Sequence, residues 1–162
     1  MSVRKNKNLA RRIHIFLLAG AMAFVTAAPV YAIPTNTQLP SGFESMLDNS
    51  TYDKAGNTGN IHQTGLTAVN KWGDFSIGAD AVVNFTSDTS NFNSVNFVNN
   101  GKVSEIYGQI NANGGNIFLA NTAGVQIGGS AQINVGSLYV TNKDLSSISS
   151  VSYTHLRAHE TA

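Results

Sequence analysis

An all-β chain wound as a solenoid is the fold class that the sequence predicts, and three observations predict it. From Leu39 onward the chain reads as short β-favouring runs separated by Gly, Asn, Asp and Ser, and no run carries sustained helical periodicity. A first echo sets Ile77, Gly78, Ala81, Val83, Asn84 and Phe85 against Ile127, Gly128, Ala131, Ile133, Asn134 and Val135, 50 residues later. A second repeats Gln109-Ile110-Asn111 as Gln132-Ile133-Asn134 at an offset of 23, and Val83-Asn84-Phe85 as Val95-Asn96-Phe97 at an offset of 12. An apolar-Asn-apolar unit returning in this way suits a coil in which each turn lays a strand above its predecessor. A Greek-key sandwich with chance echoes stays open on periodicity alone.

The elements follow in order. Arg4, Lys5, Lys7, Arg11 and Arg12 form a basic head, Ile13 to Val25 is an apolar run broken only by His14, and Val30-Tyr31-Ala32 offers the small residues of a cleavage site. Residues 1–32 are therefore expected to be a signal peptide of the general secretory route, because the apolar run is shorter than the roughly 20 residues that span a bilayer. Candidate strands lie near Ile61, Ile77, Val83, Val95, Ile106, Phe118, Ile127, Ile133 and Tyr139. The Asn and Gly residues between them are expected at corners, where left-handed backbone is tolerated and stacked amides can bond to the turns above and below. Matched Ile, Val, Phe and Ala positions are expected to stack inward, turns being about 4.8 Å apart. With roughly 20 to 25 residues per turn, the usable region gives about five turns.

Residues 151–162, "VSYTHLRAHETA", lack Gly and Asn and break the pattern. His155 and His159 stand at i and i+4, but Glu160 follows the second His and no third ligand is evident, so no metal site is expected. The string resembles translated sequencing-adapter read-through, and it is expected to be foreign to a domain of residues 33–150.

Charge and composition narrow the function. Without residues 1–32, five Lys and Arg stand against nine Asp and Glu, a net charge of −4, with no basic footprint for nucleic acid. The chain has no cysteine, so disulfides do not hold an exported fold together. Asp74, Asp80, Asp88 and Glu105 are the mid-chain carboxylates, and no spacing among them sets two on one face as glycoside hydrolysis requires. Asp80 falls where Ser130 stands in the echo, which reads as a turn position. "NANGGNIF" is no phosphate loop, and Asn49-Ser50-Thr51 and Asn84-Phe85-Thr86 match the glycosylation sequon only. No catalytic centre and no cofactor are expected.

Beyond composition, the order of strings resembles one family. "LPSG" at Leu39, "NIHQT" at Asn60, "AVNKWGDFSIGADAVVNF" from Ala68, "GQINANGGNIFLANTAGVQIGGSAQINVGSL" from Gly108 and "TNKDLS" at Thr141 are similar to the N-terminal secretion domain of two-partner secretion exoproteins, of the filamentous haemagglutinin and high-molecular-weight adhesin type. The most specific parts are Trp72-x-x-Phe75-x-Ile77-Gly78 and the stretch from Asn113 to Gly128. The resemblance implies a right-handed parallel β-helix with an N-terminal cap and extra-helical hairpins. It implies an outer-membrane barrel transporter whose periplasmic POTRA domains recognise this region, and a secreted or surface protein of a Gram-negative bacterium. The family's Asn-Pro-Asn-Gly turn falls on Asn121, Thr122, Ala123 and Gly124, whose outer residues match and inner residues do not. Losing Pro removes a pre-set φ, while Gly124 still supplies a positive one. The Asn-Pro-Asn-Leu tetrad of another branch has no counterpart. The resemblance makes the chain the head of a non-enzymatic adhesin or haemagglutinin that reaches a host receptor through downstream repeats. A cytolysin of the same export class and a β-helical polysaccharide lyase or hydrolase are the competing readings.

Overall fold

The computed structural model, which describes residues 33–145, has ten strands, eight of which wind around three faces of a coil. The expected signal peptide, His155 and His159 lie outside the described residues. One face carries β3 (Thr58–Gln63), β5 (Val82–Ser87) and the first half of β8 (Gln109–Asn121), all parallel, with the start of β10 (Gln132–Thr141) on top. The second carries β4 (Thr67–Trp72), β6 (Asn93–Val98) and the second halves of β8 and β10. The third is a narrow pair, β7 (Ser104–Ile106) on β9 (Val125–Ile127), with Ile77 bridged to Ile106. This is a parallel β-helix of about four turns.

Vertical register supplies the core. Gly59, Val83, Ile110 and Ile133 lie in one column, successive partners being 24, 27 and 23 residues apart. Ile77, Ile106 and Ile127 form a second column. A third runs from Trp72 through Val98 to Asn121. Val83, Ile110, Ile77, Ile106, Ile117 and Leu119 are all buried, each side chain contributing about 1.5–3 kcal/mol on leaving water. A single turn has no inside of its own, so each column is made by its neighbours.

The turns keep close to the expected length, but the first residues form a cap instead of a coil, which is why about four turns are wound where five were expected. Residues 34–43 cross the first end of the coil, opposite β10: Gly78 N–H donates to the Gln38 carbonyl at 3.0 Å and Asp80 N–H to the Asn36 carbonyl at 2.8 Å. That crossing requires Gly78, because a Cβ there would stand 2.0 Å from the Thr35 carbonyl oxygen. β1 (Glu44–Ser45) then lies antiparallel on β4 and β2 (Ser50–Ala55) antiparallel on β3, the latter through a two-residue hairpin at Gly56-Asn57 in which Gly56 has φ of 59°. Beneath the cap, Phe43, Tyr52 and Phe75 surround Trp72 with ring centroids 5.0, 4.8 and 5.2 Å away, and the indole N–H is satisfied by Asn96 Oδ1 at 2.9 Å.

Some local expectations change. "DFSIG" forms isolated bridges, at Asp74 with Ser41 and at Ile77 with Ile106, instead of a strand. "EIYGQIN" is two strands on different faces, β7 and the start of β8, because the chain turns at Tyr107-Gly108. The 12-residue echo of Val-Asn-Phe does not stack: Val83 pairs with Ile110 on the first face and Val95 with Phe118 on the second, so the echo joins two faces of one turn. The 50-residue echo spans two turns, and the turn between them is cut short. Gly78 to Ala81 and Gly128 to Ala131 are β-turns closed by 2.9 and 3.1 Å bonds, whereas the intervening coil passes from Ile106 to Ile110 through Gly108 without one.

Candidate functional site

The stacked asparagines are on strands. Asn84 Nδ2 donates to Asn60 Oδ1 at 3.0 Å, Asn111 Nδ2 to Asn84 Oδ1 at 2.9 Å and Asn134 Nδ2 to Asn111 Oδ1 at 3.0 Å, a ladder four residues deep on the outer side of the first face. Outward placement follows from strand alternation: Val83 and Phe85 point in, so Asn84 points out. The two inner amides, Asn84 and Asn111, each donate down and accept from above, as in stacked cross-β arrays. Asn60 completes the ladder and was not among the sequence candidates; its "GNI" context, against "VNF" and "QIN", hides it.

The corner Asn121 to Gly124 closes β8 and leads into β9. Gly124 N–H donates to the Asn121 carbonyl at 2.9 Å, closing the turn, and Gly124 takes φ of 105°. Ala123 N–H donates to Asn121 Oδ1 at 2.9 Å, while Asn121 Nδ2 donates to the Lys102 carbonyl at 2.9 Å and to Ser104 Oγ at 2.8 Å. The Asn121 side chain itself sits inside the coil, 0% exposed, and its bond to Ser104 is buried. Asn121 occupies the inward column above Val98, and its amide ties the corner to the loop of the preceding turn. Thr122 is exposed and Ala123 and Gly124 half-buried, so the corner shows its surroundings a hydroxyl and backbone. Lys102 and Ser104, which hold Asn121, carry no sequence signal for that role.

A second polar group lies inside the coil. Asn70 Nδ2 donates to Asn96 Oδ1 at 3.2 Å, Ser50 Oγ donates to Asn70 Oδ1 at 2.6 Å, and Ser45 and Ser50 hydroxyls are 2.8 Å apart, linking cap to core. The paired "VN" at Val69-Asn70 and Val95-Asn96 is the signal that could have located it. The mid-chain carboxylates are scattered. Asp74 accepts from Ser76 N–H at 2.8 Å in a local turn, Asp80 occupies the Gly78 to Ala81 turn as Ser130 does its counterpart, and Asp88 faces His62 at 3.2 Å. Burial pushes the Tyr52 phenol up to about 12, and its hydroxyl donates to the Pro40 carbonyl at 2.8 Å.

The profile of one protein family, the TPS secretion domain, matches residues 40–158. The chain belongs to that family. This TPS domain is 37% identical over 111 residues to the heme/hemopexin-binding protein of Haemophilus influenzae strain Rd, a match covering 68% of the chain and 12% of that protein. A second Haemophilus influenzae heme/hemopexin-binding protein is 37% identical over 103 residues, 64% of the chain and 11% of its own length. The domain thus spans about an eighth or less of these relatives. Among solved structures, the HMW1 secretion domain from Haemophilus influenzae superposes with a TM-score of 0.65 at 25% identity, covering 72% of this chain and 30% of that one. The TPS domain is the secretion-targeting part of an exported protein, and its family implies recognition by an outer-membrane transporter.

Proposed function

We propose that periplasmic POTRA domains of the outer-membrane transporter read the Gly108 to Gly128 segment of this TPS domain while it is still extended, before the coil closes. The observation that carries this reading is Asn121. In the wound coil both amide hydrogens and the amide oxygen are engaged inside, leaving nothing of that side chain for a partner. In the extended chain the same amide and the unpaired backbone of β8 are open to a receptor sheet, which can add a strand to them. Winding outside the cell then consumes the recognised groups and discourages return. The domain itself is non-enzymatic, and it passes through the periplasm of a Gram-negative bacterium on its way to the surface or medium.

The test titrates purified POTRA domains with a peptide of residues 108–128 and with the folded chain. The peptide is expected to bind, Asn121→Ala in the peptide to weaken it, and the folded chain to bind less. A folded chain that binds as tightly as the peptide overturns the reading.

The cargo is proposed to be an adhesin or haemagglutinin-like protein meeting a host receptor through repeats. The two heme/hemopexin-binding relatives favour a second reading, capture of heme or hemopexin by the full-length protein. Retention of the full-length protein on immobilised heme or hemopexin, with the TPS domain alone passing through, would support the second; retention on host cells alone would support the first.

A further inference from the structure

Where β8 passes from the first face to the second, it carries more chain than the turn above it. Ala112 pairs with Val135 and Asn116 with Ser137, so Asn113, Gly114 and Gly115 cross a corner that Gly136 crosses alone. None of the three has a register partner in β5 or β6. Asn113 and Gly114 are exposed, and Gly114 holds φ of 70°. Among the described residues, the Asn113 side-chain amide has no hydrogen-bond partner.

A second exposed Asn-Gly pair offers an internal comparison. At Asn100-Gly101 the glycine has φ of 75°, but the Asn100 amide is held at both ends: Nδ2 donates to the Gly73 carbonyl, and Oδ1 accepts from Lys102 N–H at 2.8 Å. The two pairs share sequence, exposure and backbone sign. They differ in whether the amide is free to move.

We propose that Asn113 is a site of spontaneous deamidation directed by the fold. The backbone nitrogen of Gly114 attacks Cγ of Asn113. The new N–Cγ bond closes a five-membered succinimide, the Cγ–Nδ2 bond breaks, and the amide nitrogen leaves as ammonia with the proton that the attacking nitrogen gives up. Water then adds to one or other ring carbonyl and opens it to aspartate or isoaspartate, with no change of oxidation state. Glycine in the following position has no Cβ to obstruct the attack. The unpaired, overlong corner allows the backbone to reach the attacking geometry. The product places a carboxylate on the groove lined by Asn111, Ile133, Asn134 and Gly136, where β10 lies over β8. This inference does not depend on how the transporter recognises the chain.

The experiment incubates the full chain at mildly alkaline pH and follows both sites by peptide mass spectrometry with isoaspartate detection. Asn113 is expected to lose its amide about tenfold faster than Asn100, since Asn100 must first break two hydrogen bonds. In denaturant the two rates are expected to converge, and Asn113→Gln to abolish the fast phase while leaving the Asn100 rate unchanged. Equal rates in the folded chain, or the same ratio folded and unfolded, would overturn the proposal.

Discussion

Asn121 shows how a corner residue acts from inside a fold. Asn121→Ala removes three hydrogen bonds and leaves Ser104 Oγ, inside the coil, without its donor, which is expected to cost about 1–3 kcal/mol. Thr122→Ala, one position along and exposed, is expected to stay within about 0.5 kcal/mol; urea unfolding of both variants checks the contrast. Tyr52 gives a pH prediction. Its folded-state value, raised to about 12 from the ordinary 10.0, means that the unfolded chain loses the phenolic proton first. The folded state therefore binds more protons between those values, and stability is full below pH 10 and falls as pH rises toward 12. Tyr52→Phe is expected to flatten that fall, read as the shift of the unfolding midpoint across the window. Gly108 and Gly129 separate steric need from mere composition. A Cβ at Gly108 would stand 2.2 and 2.3 Å from the carbonyl oxygens of Gly78 and Ala81, whereas at Gly129 it meets nothing within 4 Å. Gly108→Ala is expected to cost about 1–3 kcal/mol or more by overpacking and Gly129→Ala almost nothing, measured by thermal unfolding.

At the scale of elements, the asparagine ladder divides into inner and outer rungs. Asn111 both donates and accepts within it, while Asn134 only donates. Asn111 also accepts from Gln109 Nε2 at 2.8 Å, so Asn111→Ala is expected to lose about two to three times as much stability as Asn134→Ala, on the order of 1–1.5 kcal/mol against 0.5, because each partly solvated bond is worth little by itself. Denaturant midpoints of the two variants test it. The strands that carry this ladder were legible because Val-Asn-Phe and Gln-Ile-Asn alternate in and out with period two. β2 was not legible: its residues, "STYDKA", are mostly exposed, and its place is set by β3 through the hairpin at Gly56. β4 escaped as a separate strand because Asn70 is buried, and a buried polar residue erases the alternation that marks a strand. The break between β7 and β8 was hidden for the opposite reason. "EIYGQIN" alternates without interruption, and only the close approach of two carbonyl groups shows that Gly108 is a bend. Asn121 to Gly124 form a turn, yet burial of Asn121 reverses the natural expectation that an asparagine in a turn faces outward.

At the scale of the molecule, the two ends of the described coil are built differently. The cap end is sealed by residues 34–43, by the aromatic group around Trp72 and by antiparallel β1 and β2, the latter carrying Asp53 and Lys54 on its exposed side. At the other end, positions that point inward in earlier turns are open: Ile127 is 49% exposed and Val140 46%, although their partners Ile106 and Leu119 are buried. Apolar surface left open in this way is expected to promote self-association. Ile127→Lys with Val140→Lys is expected to shift the chain toward monomer in sedimentation velocity at high concentration, with little change in unfolding temperature. The parallel architecture as a whole was readable from repeat spacing and family resemblance. The number of turns was not, since the cap takes residues that periodicity would assign to winding.

The antiparallel lid has a directional consequence. Parallel stacking can continue from β10, whose far edge keeps the orientation of the strands beneath it, but a further parallel strand has no matching seat against β2. Like a ratchet wheel with one blocked side, the molecule admits new layers at a single pole, and its growth has a sense fixed by where the lid sits.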